Sequence, residues 1–74
     1  MEVEVRLFGK LRQEQPAVQR LTCDPQTTAG DLLTQLGVDR DRYGLLLIDD
    51  RDAEPNSVLT PDAVLSVYPT VGGG

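Results

Sequence analysis

The 74-residue sequence predicts an α+β roll, a mixed sheet of four to five strands with one main helix packed on one face. Three observations carry that reading. Residues 2 to 8, "EVEVRLF", alternate polar and apolar, which is the period of a half-buried strand. Residues 28 to 36 switch to a helical period behind a capping pattern. Two later apolar runs, "LLLI" at 45 to 48 and "VLSVY" at 64 to 68, are too short for helices and are bounded by turn formers.

In the first strand Val3, Val5 and Leu7 face one way, and Glu2, Glu4 and Arg6 the other. Gly9 breaks the run, and "KLRQEQ" reads as a turn or short loop up to Pro16. Residues 17 to 22, "AVQRLT", form a second strand that pairs with the first as a hairpin. Thr28 is a good amino-cap, and Asp31 three residues on completes a Thr-x-x-acid pattern close to a capping box. Ala29, Leu32, Leu33 and Leu36 then share one helical face, and Gly37 supplies a left-handed stop. Gly30 is a weak point in that helix, costing about 1 kcal/mol relative to alanine.

The "LLLI" run reads as a buried strand, "DDRDAEPNS" as a polar turn, and Val58 and Leu59 as a brief strand or plug. The expected core is Val3, Val5, Leu7, Leu32, Leu33, Leu36, Leu47, Val64 and Val67. Residues 1 to 69 make one domain, and residues 70 to 74 a flexible carboxy-terminal tail.

Composition narrows the function. A single cysteine, Cys23, permits no internal disulfide, which fits a reducing compartment. With no histidine and one cysteine there is no zinc site, and no cofactor is expected. No basic segment precedes an apolar run as in a signal peptide, and no apolar stretch approaches the roughly 20 residues of a membrane span. A cytoplasmic location and no membrane partner are therefore expected. The net charge of −5, with seven scattered basic residues against twelve acidic ones, argues against nucleic-acid binding. Such a surface suits solubility, and taken as a whole it suits pairing with a basic partner.

Candidate reactive side chains are few. Cys23 has no neighbour in sequence that would lower its pKa. The acidic run Asp49, Asp50, Asp52 and Glu54 lacks the spacing and glycine of a helix-loop-helix calcium loop and reads as a solvated turn. Tyr43 reads as packing.

That leaves the chain's end, "SVYPTVGGG", where a strand runs through Pro69 into three glycines. The opening "VEVRLFGKLRQ", the segment "TTAGDLLTQLG" and the ending "VLSVYPTVGGG" together resemble the small subunits of molybdopterin synthase, within the ubiquitin-like sulfur carriers. Those subunits usually end in Pro-Pro-Val-x-Gly-Gly, and Pro69, Thr70, Val71, Gly72, Gly73 and Gly74 fall on those positions without a gap, with Thr70 in place of the second proline. The triple glycine also resembles some thiamine-pathway carriers. Two turns differ: Asp49 and Asp50 stand where the family often has Asn-Gly, and Pro61 and Asp62 where it often has Gly-Asp.

The resemblance implies a β-grasp, ubiquitin-like fold. It implies that Gly74 is adenylated and converted to a thiocarboxylate, with Pro69, Val71, Gly72 and Gly73 forming the segment that threads a partner's channel. It implies three partners: an ATP-dependent adenylating enzyme, a sulfur-donor enzyme and a larger catalytic subunit. The carrier would have no catalytic machinery of its own and would act as a co-substrate. Supply of sulfur for thiamine or another metabolite, and ubiquitin-like attachment to protein lysines, are the alternatives that the same tail allows.

Overall fold

A computed structural model describes residues 1–70. The chain forms β1 (Glu2–Leu7), a 3-10 helix (Gly9–Gln13), β2 (Val18–Thr22), α1 (Ala29–Gln35), a second 3-10 turn (Arg40–Arg42), β3 (Tyr43–Ile48), β4 (Arg51–Ala53) and β5 (Val64–Pro69). The five strands make one mixed sheet in the order β2-β1-β5-β3-β4. β1 and β5 run parallel at its centre, and the remaining pairs are antiparallel.

The alternation in β1 does what its period requires. Val3, Val5 and Leu7 are buried, and they meet Leu65 and Val67 of β5 and Leu32 and Leu33 of α1 in one core cluster. Each such side chain contributes on the order of 1.5–3 kcal/mol by leaving water. The helix starts where the capping pattern places it. The Asp31 N–H donates to Thr28 Oγ1 at 3.1 Å, and the Thr28 N–H donates to Asp31 Oδ2 at 3.3 Å, so the short aspartate closes the box. Gly30 has a structural reason to lack a side chain: its N–H donates to the Pro55 carbonyl at 2.7 Å, and a Cβ there would lie 3.0 Å from that same oxygen.

The structure corrects the sequence reading in four places. The polar "DDRDA" segment is not only a turn. Asp49 (φ 51°) and Asp50 (φ 67°) form a two-residue left-handed turn that folds Arg51–Ala53 back onto Ile48–Leu46 as β4. The β3 run is longer than expected and only partly buried: Tyr43 and Leu46 are core residues, whereas Leu47 lies half-buried on the opposite face. In β5 the core residues are Leu65 and Val67, with Val64 on the other face, and Leu36 is packed against the core but only partly buried. Finally, "KLRQ" is not a loop but part of a 3-10 helix, which turns Leu11 into the core. The Val58–Leu59 plug takes the form of an isolated bridge between Thr28 and Val58, with Leu59 buried beneath it.

Candidate functional site

β5 carries the chain out of the centre of the sheet, and its last residues are held from both sides. Val67 accepts a hydrogen bond from the Phe8 N–H at 3.1 Å. Phe8 and Tyr68 stack with ring centroids 4.4 Å apart. Pro69 lies opposite Tyr43 in the β3 ladder, with its ring against Gly9. One residue on, the Thr70 N–H donates to the Arg42 carbonyl at 3.3 Å. The β3 register shifts between Tyr43 and Leu45, where the exiting chain passes Gly44 closely. The root of the tail is thus clamped between the turn after β1 and the turn before β3, which are far apart in sequence.

The sheet face away from α1 presents a short apolar strip beside this exit. Leu45 pairs with Tyr68 and Leu47 with Ser66, and Phe8 lies across the Tyr68 ring. Leu45 is 45% exposed. Along β1 and β2 the same face is polar, through Glu2, Glu4, Arg6 and Arg20. Arg20 bonds Glu2 at 3.1 Å and Asp62 at 3.3 Å, and the hydrogen bond to Glu2 raises its pKa above the ordinary guanidinium value.

Of the residues singled out from the sequence, Pro69 stands at the end of β5 as described. Val71, Gly72, Gly73 and Gly74 lie outside the described residues. Tyr43 is buried packing, with the Arg40 guanidinium 5.0 Å over its ring. Cys23 is a buried free thiol just after β2, at the opposite end of the sheet from Pro69, so the fold does not bring it to the root of the tail. Asp49 and Asp50 occupy the β3–β4 turn. Among the described residues no group of three or more side chains is arranged to hold a metal ion, and no helix is long and apolar enough to cross a membrane. The sequence reading missed the clamp around Pro69. Its one available signal was Gly9, placed directly after a strand and carrying a positive φ.

A mixed sheet in this order, with one helix filling one face, is the β-grasp, ubiquitin-like fold. Solved structures share it over essentially the whole chain. The small archaeal modifier protein SAMP1 of Haloferax volcanii matches with a TM-score of 0.77 at 21% identity, covering 100% of both chains. A putative molybdopterin converting factor subunit 1 of Pyrococcus furiosus matches at 0.76 and 16% identity, covering 96% of this chain and 99% of that one. A complex of subunits 1 and 2 of the molybdopterin-converting factor of Helicobacter pylori matches at 0.67 and 22% identity, covering 100% of both chains. At these identities the likeness is one of fold. No protein-family model and no curated protein matches the sequence.

Proposed function

We propose that this chain is a sulfur carrier of the kind that serves as the small subunit of molybdopterin synthase. One observation carries the reading most directly. β5 ends in a proline fixed against Gly9 and Tyr43, and the sequence Thr-Val-Gly-Gly-Gly follows from that anchored point. A rigid root followed by a chain that ends in three residues without side chains suits delivery of that end into a narrow channel. The molybdopterin converting factor subunits among the structures of like fold support the same reading.

The chemistry lies at the Gly74 carboxylate, which is a poor electrophile. Attack of one of its oxygens on the α-phosphate of ATP forms an acyl adenylate and releases pyrophosphate. A sulfur donor then supplies a sulfide equivalent to the carbonyl carbon. AMP departs with the oxygen that linked it, and a thiocarboxylate remains. The partners are an adenylating enzyme of the ubiquitin-activating type, a sulfur-donor enzyme and a larger catalytic subunit. The carrier contributes the substrate group and its presentation; residues 1–69 are the body and 70–74 the delivered tail. The reaction belongs in the cytoplasm, where the lone thiol stays reduced.

A second reading has its own support in the SAMP1 match: the activated Gly74 would be passed to protein lysines. One experiment separates the two. The chain is incubated with the adenylating enzyme of its organism, ATP and a sulfur donor, and followed by intact mass spectrometry with fragmentation. Exchange of one oxygen for sulfur at Gly74 supports the carrier, and isopeptide products on other proteins support the modifier. Sulfur acceptance by a chain lacking Gly74 would sink both.

A further inference from the structure

The net charge of −5 hides a separation of charge along the molecule. Five of the seven basic residues, Arg6, Lys10, Arg12, Arg40 and Arg42, lie on the elements around the tail root, accompanied by Glu4, Glu14, Asp39 and Asp41. The other eight acidic residues share the rest of the surface with Arg20 and Arg51, and of these Asp52 and Glu54 also line a pocket beside Arg40. The eight include Glu2, Asp24, Asp49 and Asp62 at the far end of the strands, and the dominant field there is negative.

The tail-end cations are also unevenly engaged. Arg42 is paired with Glu14 at 3.3 Å, and Arg6 with Glu4. Lys10 and Arg12 have no carboxylate within ion-pair distance among the described residues. Arg12 opens onto a groove of about 430 Å³ whose walls include Arg6, Phe8, Ala17 and Val18, with Glu4, the partner of Arg6, as its one carboxylate. Val18 is 58% exposed there, so two guanidiniums border an apolar floor that continues across Phe8 onto Tyr68.

We propose that this tail-end face docks on a partner surface that is acidic around an apolar centre, and that the charge separation orients the encounter. The inference rests on the carrier reading and names the chemistry of the adenylating partner's docking surface. Net charge alone points to a basic partner; the distribution of charge at the tail reverses that. Guanidiniums with free donors favour carboxylates in bidentate geometry, and charges at the rim of an interface act chiefly on association and its salt dependence. The acidic far end is repelled by the same partner, so the productive orientation is the one approached.

The test is carrier-dependent ATP–pyrophosphate exchange by the adenylating enzyme of the same organism, with circular dichroism to verify folding of each variant. For the wild-type chain, KM for the carrier should rise between low and moderate salt, over the range where the Debye length falls below about 10 Å. The pair Arg6→Gln and Arg12→Gln should raise KM about tenfold at low salt, leave kcat in place and flatten the salt dependence. The opposite pair, Asp24→Asn and Asp50→Asn, should leave KM unchanged or lower it. An unchanged KM for the arginine pair, or a rise equal to it from the aspartate pair, overturns the docking inference while the carrier reading stands. Absence of exchange with the wild-type chain sinks the carrier reading, and the docking inference with it.

Discussion

A Cβ added to Gly9 would lie 2.9 Å from Cγ of Pro69, and Gly9 has φ +58°. The turn after the first strand and the last residue of the last strand are therefore fitted to each other. Gly37 has a more positive φ, +82°, but nothing within 4 Å of a Cβ. Alanine at Gly37 should cost the left-handed conformation alone, about 1 kcal/mol. Alanine at Gly9 should cost that plus displacement of Pro69, about 2–3 kcal/mol in total. Urea denaturation of the two variants checks this, and equal midpoints would mean that Pro69 yields freely.

The β3–β4 turn should be improvable. Asp49 and Asp50 both take positive φ, which an aspartate tolerates and a glycine prefers. Asp49 is occupied, since its Oδ1 accepts the Val64 N–H at 2.9 Å and its own N–H donates to the Val64 carbonyl at 2.9 Å. Asp50 makes no such bond among the described residues. Asp50→Gly should stabilise the domain by about 0.5–1 kcal/mol, whereas Asp49→Gly should destabilise it by about 1 kcal/mol through the lost hydrogen bond. Thermal unfolding of both variants reads out the opposite signs.

Thr28 caps α1 and also forms the isolated bridge to Val58. Only the cap uses its side chain, so Thr28→Ala should cost about 1 kcal/mol and leave the bridge. Asp31→Ala removes the reciprocal bond from the same box. The double variant should cost less than the two single changes added together, because each bond orders the other's partner. Additive losses in chemical denaturation would show that the two bonds act separately.

On the proposed carrier function, stability and sulfur transfer should come apart at the tail. Leu33 is fully buried in the core cluster, so Leu33→Ala should cost about 2–5 kcal/mol and lower transfer through loss of folded protein. Gly73→Val should leave the unfolding midpoint unchanged and reduce transfer strongly, because a β-branched side chain stiffens and widens the segment. Cys23→Ser should leave transfer intact, since the buried thiol lies at the end of the sheet away from Pro69. A transfer assay beside a denaturation curve for each variant decides the matter, and a Cys23→Ser protein that folds but no longer accepts sulfur would place the thiol in the chemistry.

The sequence alone determined the elements whose signals are local. Alternation along Glu2–Leu7, the Thr28 and Asp31 capping box and the stop at Gly37 each involve residues within a few positions of one another. Backbone period, cap geometry and the conformational freedom of glycine decide such features before any long-range contact forms. Only the tertiary structure decided which face of β3 and β5 is the core. "LLLI" is apolar on both faces, and in "VLSVY" only Ser66 interrupts an otherwise apolar run, so the choice of Leu46 over Leu47, and of Leu65 and Val67 over Val64, came from register against neighbouring strands. β4 was hidden for a related reason. Its residues are Arg, Asp and Ala, which have little strand preference, and the segment is a strand because a left-handed Asp-Asp turn folds it onto β3. The clamp at the tail root was hidden most completely, because it joins Phe8 and Gly9 to Tyr68 and Pro69 across 60 residues of sequence. Such contacts exist only once the parallel pairing of β1 and β5 has brought the two ends of the chain side by side.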